Sequence, residues 1–227
     1  MKTLIIIPAY NEGENIEKVV DNLTSNFPQY DYVVINDGSR DNTEDICKAR
    51  GYNYISHPVN LGLAGAFRTG MKYALKENYD AAIQFDGDGQ HNPEYIAPML
   101  KKLEEGNNIV IGSRFVTDKK PASLRMLGNN LIELAILLTT GKKINDTTSG
   151  MRIFDKKIIK TLALKEDLGP EPDTVALLMR KGAKVSEVQA YMNERTAGES
   201  YLTLSRSIVY MARMMVSILI LQWFRKG

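Results

Sequence analysis

The feature that most constrains the fold of this chain is a repeated alternation. Apolar runs of strand length, "TLIIIP", "YDYVVIN", "YNYIS", "YDAAIQF" and "NNIVIGS", are separated by segments with helical patterning such as "NIEKVVDNLTSNF" and "PEYIAPMLKKLEEG". A strand with one wet face alternates apolar and polar residues, whereas these runs are continuous, which is what burial on both faces requires. Stacked βαβ units follow, with a mostly parallel sheet covered by helices. At 227 residues the chain has the length of one sizeable α/β domain. In such sheets ligands bind beyond the carboxyl ends of the strands. The segments to search are therefore "AYNEGE", "NDGSRD", "HPVNLGLAG", "DGDGQHN" and "GSRFV", each carrying acids, glycines or an arginine.

Charge and rare residues narrow the function classes. Lys plus Arg number 29 against 27 Asp plus Glu, a net charge of +2, so no nucleic-acid partner is expected. Cys47 is the only cysteine, which removes internal disulfides and Cys-based zinc sites and fits a reducing compartment. With His57 and His91 the only histidines, a His-rich metal site is also excluded. The apolar run in "MKTLIIIPAYNEGEN" is too short for a signal peptide and turns acidic, which predicts a cytoplasmic chain.

Beyond Gly112 the rhythm changes. "SLRMLGNNLIELAILLTTG" reads as an amphipathic helix with Leu127, Leu131, Leu134, Ala135 and Leu138 on one stripe, and core packing is the default expectation for such a stripe. At the C-terminus, "SRSIVYMARMMVSILILQWFRKG" is uncharged from Met214 to Phe224, short of the roughly 20 residues a bilayer crossing takes. With Arg206, Arg213, Arg225 and Lys226 it suits a helix lying on a membrane surface, or one buried against the domain or a membrane partner. The expected division is a catalytic domain over 1–205 and an amphipathic helix over 206–227.

The loops carry the chemistry. In "FDGDGQH", Asp86, Asp88 and Gln90 offer hard oxygens at alternate positions after a buried strand, the ligand type of Mg²⁺ or Mn²⁺. A bound diphosphate would complete such a site; the rival reading is an Asp-Gly turn with surface carboxylates. An EF-hand is excluded, since no bidentate Glu follows at the required place. In "NDGSRD", Asp37 ends a strand where a carboxylate can accept hydrogen bonds from a base or ribose. Gly38 and Ser39 turn the chain there, and Asp41 or Asn42 can cap the next helix. "NLGLAGAFRTG" fails both phosphate-loop patterns, because it is not GxGxxG and Gly70 is followed by Met71 rather than Lys. Its glycines are read as devices for close packing or a tight helix start.

Taken together, "IIIPAYNEGENI", "VINDGSRDNT", "NLGLAGAFRTG", "DGDGQHNPE", "GSR", "DTTSGMRIFD" and "ERTAGESYLT" resemble the family 2 glycosyltransferases. Within them the resemblance is to the branch of dolichyl-phosphate mannose synthases and bacterial polyprenyl-phosphate glycosyltransferases. It implies a GT-A fold, a nucleotide-diphosphate sugar donor, a divalent cation and inversion at the anomeric carbon. By the same resemblance Pro8, Tyr10, Glu12 and Asp37 hold the nucleoside, while Asp86, Asp88 and Gln90 bind the metal and, through it, the donor diphosphate. Arg195 lies near that diphosphate, with Ser200 in the same loop, and Arg114 and Arg125 contact an acceptor phosphate. Two departures stand out: Asn36 where the family commonly has a first aspartate, and Gly87 where its acidic loop often has alanine. His91 is left outside the site.

The acceptor decides the mechanism. A sugar hydroxyl needs a carboxylate base, and Asp167, Glu171 and Asp173 in "KEDLGPEPD" are candidates, although Pro172 marks the same acids as helix-start residues. A lipid phosphate is already an anion and needs cations to position it. Arg114 and Arg125, flanking "VTDKKPAS" and leading into an amphipathic helix, favour polyprenyl phosphate, although each taken singly is an ordinary surface arginine. The expectation is a glycosyltransferase using Mg²⁺ or Mn²⁺ at the cytoplasmic face of the membrane, held peripherally or by a small membrane protein, and serving cell-envelope glycan assembly. The alternatives are a hydroxyl-acceptor glycosyltransferase of surface polysaccharide synthesis and a non-catalytic sugar-nucleotide-binding scaffold.

Overall fold

The computed structural model describes residues 1–193 and 204–225. The apolar runs form β1 (Thr3–Ala9), β2 (Asp31–Asn36), β3 (Tyr54–Ser56), β4 (Ala81–Gln84) and β5 (Ile109–Ser113). With β6 (Arg152–Asp155) and β7 (Val185–Gln189) they make a seven-stranded sheet in the order β3-β2-β1-β4-β6-β5-β7. Pairing is parallel except at β6, which runs antiparallel between β4 and β5. The mostly parallel sheet expected from the continuous runs is what forms.

Helices α1 (Ile16–Asn26), α2 (Thr43–Ala49), α3 (Gly62–Lys76), α4 (Ile96–Glu104), α5 (Leu124–Thr140), α6 (Lys156–Leu164), α7 (Pro172–Arg180) and α8 (Leu204–Leu219) cover it. Successive residues of β1 feed opposite layers, as the period of two demands. Leu4 and Ile6 pack with Phe67 and Met71 of α3, Ile136 of α5 and Ile218 of α8. Ile5 and Ile7 pack with Val20 of α1, Cys47 of α2 and Met99 of α4. The glycines of "NLGLAGAFRTG" act as read. Gly62 opens α3 at φ 76, and a Cβ on Gly70 would lie 2.3 Å from Cγ2 of Ile6, so the helix rests directly on β1.

The α5 stripe corrects the core-packing expectation. Ala135 is buried, but Leu127, Leu131, Leu134 and Leu138 face outward, with Leu138 72% exposed. The face turned to the core is Asn129, Ile132, Ala135 and Ile136. Helix α5 packs on α8, which buries Met214, Ser217 and Ile218 and leaves Val209, Val216 and Leu219 exposed. Among the described residues no helix is long and apolar enough to cross a membrane.

Topology then sets the site. The chain leaves β1 toward β2 on one side, while β4 pairs with the other side of β1. The loops after β1, β2 and β4 thus share one end of the sheet at a point where the winding reverses, the place where such sheets open a crevice.

Candidate active site

The first two loops are laced together. Asn11 takes a positive φ of 56, its N–H donates to Ser39 Oγ (3.0 Å), and its Oδ1 accepts from Arg40 N (2.8 Å). Glu12 N donates to Thr43 Oγ1 (2.9 Å) and Gly13 N to Asp41 Oδ2 (3.0 Å). Asp41, rather than Asn42, supplies the side-chain bonds at the start of α2, accepting from Thr43 N at 3.0 Å. Asp37 is buried at the end of β2, and its N–H donates to Ala9 O (2.8 Å), which fixes it beside the β1 loop that carries Tyr10 and Glu12. Asn36, the departure from the family pattern, is buried and structural: its Nδ2 donates to Ser56 Oγ (3.0 Å) and its Oδ1 accepts from Ser39 N (3.2 Å).

The acidic loop lies against the first. Phe85 N donates to Ile6 O (2.9 Å), and a Cβ on Gly87 would stand 3.2 Å from Pro8 O and 3.6 Å from Cγ of Glu12. Asp88 is buried with Oδ1 accepting from Gln90 N (3.1 Å), a side-chain-closed turn that aims the carboxylate inward. Gly89 takes φ 77 to make that turn. His91, excluded in the reading of the sequence, supports Asp86 directly. Its Nδ1 accepts from Asp86 N (2.9 Å), its Nε2 lies 3.5 Å from Asp86 Oδ2, and its ring meets Phe85 edge-on. A Cβ on Gly150 would come within 2.7 Å of Asp86 Oδ2, so "TSGM" forms the other wall. Among the described residues no three acid, His or Cys side chains form a closed cage. Two carboxylates and the Gln90 amide therefore suit a hard divalent cation only if substrate oxygens complete its shell, as is usual for Mg²⁺ and Mn²⁺.

Two arginines and a buried acid escaped the reading of the sequence or came out differently from it. Arg114 forms a bidentate pair with Asp146, Nε to Oδ2 at 2.7 Å and Nη2 to Oδ1 at 2.8 Å, and its N–H donates to the same carboxylate at 3.1 Å. Burial alone would raise the fully enclosed Asp146 carboxyl, but the bonds and charge of Arg114 outweigh it and hold the group below its ordinary value. In turn, Asp146 raises Arg114 against the opposing effect of burial. Arg152, paired across the sheet with Gln84, is fully enclosed; its Nη1 and Nη2 donate to Pro170 O and Thr147 O, each at 2.8 Å. Burial lowers its pKa, opposed by the charges of nearby groups including Glu171, Asp146 and Asp86. Arg152 thus joins the "TTSG" and "GPEP" segments beneath the acidic loop. The available signal was an arginine opening the short strand "RIFD".

Of the downstream acids, Asp167 is exposed and Asp173 is buried, accepting from Ser217 Oγ (2.5 Å) and Arg225 Nη1 (3.1 Å). Glu171 accepts from Tyr210 OH at 2.5 Å, and Pro172 opens α7. Arg125 falls in the first turn of α5, and its side chain lies outside the described residues, as do Arg195 and Ser200. The chain reaches that segment from Asn193, whose N–H donates to Gln90 O (2.8 Å).

Known proteins resemble the chain in sequence and in fold. The chain is 34% identical to the UDP-N-acetylglucosamine–dolichyl-phosphate N-acetylglucosaminyltransferase of Methanococcus voltae, over 70% of this chain and 71% of that one. It is 29% identical to the undecaprenyl-phosphate mannosyltransferase of Micrococcus luteus, over 89% and 88%. Its fold matches glucosyl-3-phosphoglycerate synthase from Mycobacterium tuberculosis, solved with Mn²⁺, UDP and phosphoglyceric acid, at a TM-score of 0.69 and 18% identity, covering 100% of this chain and 80% of that one. The fold is thus the GT-A fold. With residues 4–163 matching its family description, the chain belongs to glycosyl transferase family 2.

Proposed function

We propose that the protein transfers one sugar, with inversion, from a UDP- or GDP-linked donor to polyprenyl phosphate at the membrane surface, for cell-envelope glycan assembly. The observation that carries the acceptor assignment is the outward stripe Leu127, Leu131, Leu134 and Leu138 on a helix that starts at the Arg114–Arg125 segment. That stripe sits on a helix packed against α8, itself exposing Val209, Val216 and Leu219, with Trp223 and Phe224 beyond. Arg213 is exposed on the same helix, and Lys142 and Lys143 follow the end of α5. Apolar residues flanked by cations suit an anionic lipid surface. A cleft of about 370 Å³ between the Phe115–Lys120 segment and α5, lined by Phe115, Leu134 and Leu137 but also by Lys120, Glu133 and Lys143, adjoins the stripe. The named substrates of the Methanococcus and Micrococcus relatives support the same acceptor class. Residues 1–205 act as the catalytic domain in this reading, and 206–227 as the membrane-facing helix, at the cytoplasmic face.

At the donor end, Pro8, Tyr10, Glu12 and Asp37 hold the nucleoside, and Asp86, Asp88 and Gln90 hold Mg²⁺ or Mn²⁺ together with the diphosphate. When bound, that cation neutralises the charge growing on the leaving diphosphate, an effect of several kcal/mol. Arg195, two residues beyond the anchor of Asn193 on the acidic loop, adds charge beside the diphosphate. Arg114 and Arg125 position the acceptor phosphate, which needs no base because its second pKa is about 6. Of the three carboxylates that could serve a hydroxyl acceptor as base, Asp173 is bonded to Ser217 and Arg225, Glu171 accepts from Tyr210 OH, and Asp167 faces solvent.

The test is incubation of the purified protein with a panel of UDP- and GDP-sugars, Mn²⁺ or Mg²⁺, and polyprenyl phosphate in detergent, with a soluble sugar acceptor in parallel. Glycolipid from at least one donor is expected. Product on the sugar hydroxyl only, or none with any donor, overturns the proposal.

A further inference from the structure

Asp37 is held by a histidine that the donor and acceptor readings leave unused. His57 directly follows β3, and its N–H donates to Asn36 O (2.9 Å), continuing the β2–β3 ladder. Its ring thereby lies between two elements: Nδ1 is 2.8 Å from Asp37 Oδ1 and Nε2 is 2.8 Å from Thr69 Oγ1 of α3. Leu61 N donates to the same Asp37 Oδ1 at 2.9 Å. Both side chains are nearly enclosed, His57 at 9% and Asp37 at 4% exposure. A carboxylate oxygen only accepts, so Nδ1 carries the proton in this bond. Both donors converge on Oδ1, while Oδ2 accepts no hydrogen bond among the described residues. The surrounding loops leave little slack. Gly38 takes φ +66, and a Cβ there would stand 2.7 Å from the carbonyl carbon of Val59 and 2.8 Å from Asn60 N.

We infer that His57 is a positioning residue for nucleobase selection: it locks the Asp37 carboxylate so that Oδ2 alone is offered to the base. This rests on the nucleoside-binding reading of Asp37. A fixed acceptor set opposite the ring nitrogen of the base edge takes only a base with an N–H at that atom, since a lone pair opposite it leaves both groups unpaired and repelling. Uracil offers N3–H there and guanine N1–H. Cytosine N3 and adenine N1 present lone pairs at that atom, and their amino groups sit to one side of it, so a locked oxygen disfavours both. A His57 that merely held the 57–61 loop would leave base preference untouched when replaced by a side chain that preserves the fold.

Isothermal titration of UDP, GDP, CDP and ADP in the presence of Mn²⁺ tests this on the full chain. Wild type is expected to bind UDP or GDP at least about tenfold tighter than CDP and ADP. His57→Asn keeps an N–H donor near the Nδ1 position and should retain that ratio to within about threefold. His57→Gln extends its amide toward Thr69 and loses the bond to Asp37, so the ratio should fall by about tenfold or more. With the glycosyl donor, the same Gln variant should raise KM while kcat changes by less than about threefold. Equal base discrimination by the Asn and Gln variants at matched Tm overturns the inference alone. If wild type binds none of the four nucleotides, the nucleoside reading of Asp37 falls, and the inference with it.

Discussion

Asp88 is the residue on which rate should depend most sharply. It is buried in the acidic loop, where its Oδ1 accepts from Gln90 N. Asp88→Asn should therefore lower kcat by about 100-fold or more while thermal unfolding stays close to wild type; a wild-type rate in steady-state assays would remove Asp88 from the chemistry. The Arg114–Asp146 pair makes a different prediction, concerning stability. The folded-state pKa of Asp146 lies below its ordinary 3.8, so its stabilising effect is complete above that value and fades as pH falls through the folded pKa. Asp146→Asn leaves the Arg114 charge without its partner and should cost about 3 kcal/mol at neutral pH. Urea unfolding between pH 7 and 3 should show the gap between the two proteins narrowing at the acid end; a constant gap contradicts the pairing. Asp37, Asp86 and Asp88 were legible because they follow apolar strands in short glycine-bearing loops. Asp146, Arg152 and His57 were not, because their partners come from other segments, 32 residues apart for Arg114 and Asp146, while His91 sits five residues from Asp86 in a loop whose turn the sequence does not reveal.

At the scale of elements, α5 shows where periodicity misleads. Spacing identifies which residues share a helical face but not whether that face meets protein or something else, and the leucine face of α5 is left largely exposed by the described residues. Replacing Leu131 and Leu138 by Asp together should weaken sedimentation with anionic lipid vesicles by about tenfold or more, leaving UDP and GDP binding unchanged. Undiminished vesicle binding would remove α5 from the membrane-facing surface and leave a protein partner as its occupant. Helix α3 shows the opposite, a packing role read correctly from glycines. Gly70→Val would force α3 off Ile6 and should cost about 1–3 kcal/mol, a fall in Tm of several degrees. No change would mean that the helix is free to shift.

For the whole molecule, the first five strands were legible from their apolar runs, and the mostly parallel sheet from the continuous apolar character that β1, β4 and β5 need for burial on both faces. Strands β6 and β7 were not: "RIFD" carries a buried arginine, and "VSEVQ" mixes polar residues into a half-buried edge strand. Between β4 and β5, β6 carries Arg152 beneath the acidic loop, and the "DTTSG" segment leading into it delivers Gly150 to Asp86 and Asp146 to Arg114. One molecule thus joins a loop-lined end of β1, β2 and β4, the proposed donor end, to an apolar face on α5 and α8. In the proposed reaction a phosphate oxygen, not a hydroxyl, receives the sugar. Phosphorus NMR of polyprenyl phosphate incubated with the protein, Mn²⁺ and the productive sugar nucleotide measures this directly. Loss of the lipid monoester signal and growth of a phosphodiester signal, in step with release of nucleoside diphosphate, is the predicted result. An unchanged monoester signal while nucleoside diphosphate accumulates would contradict it.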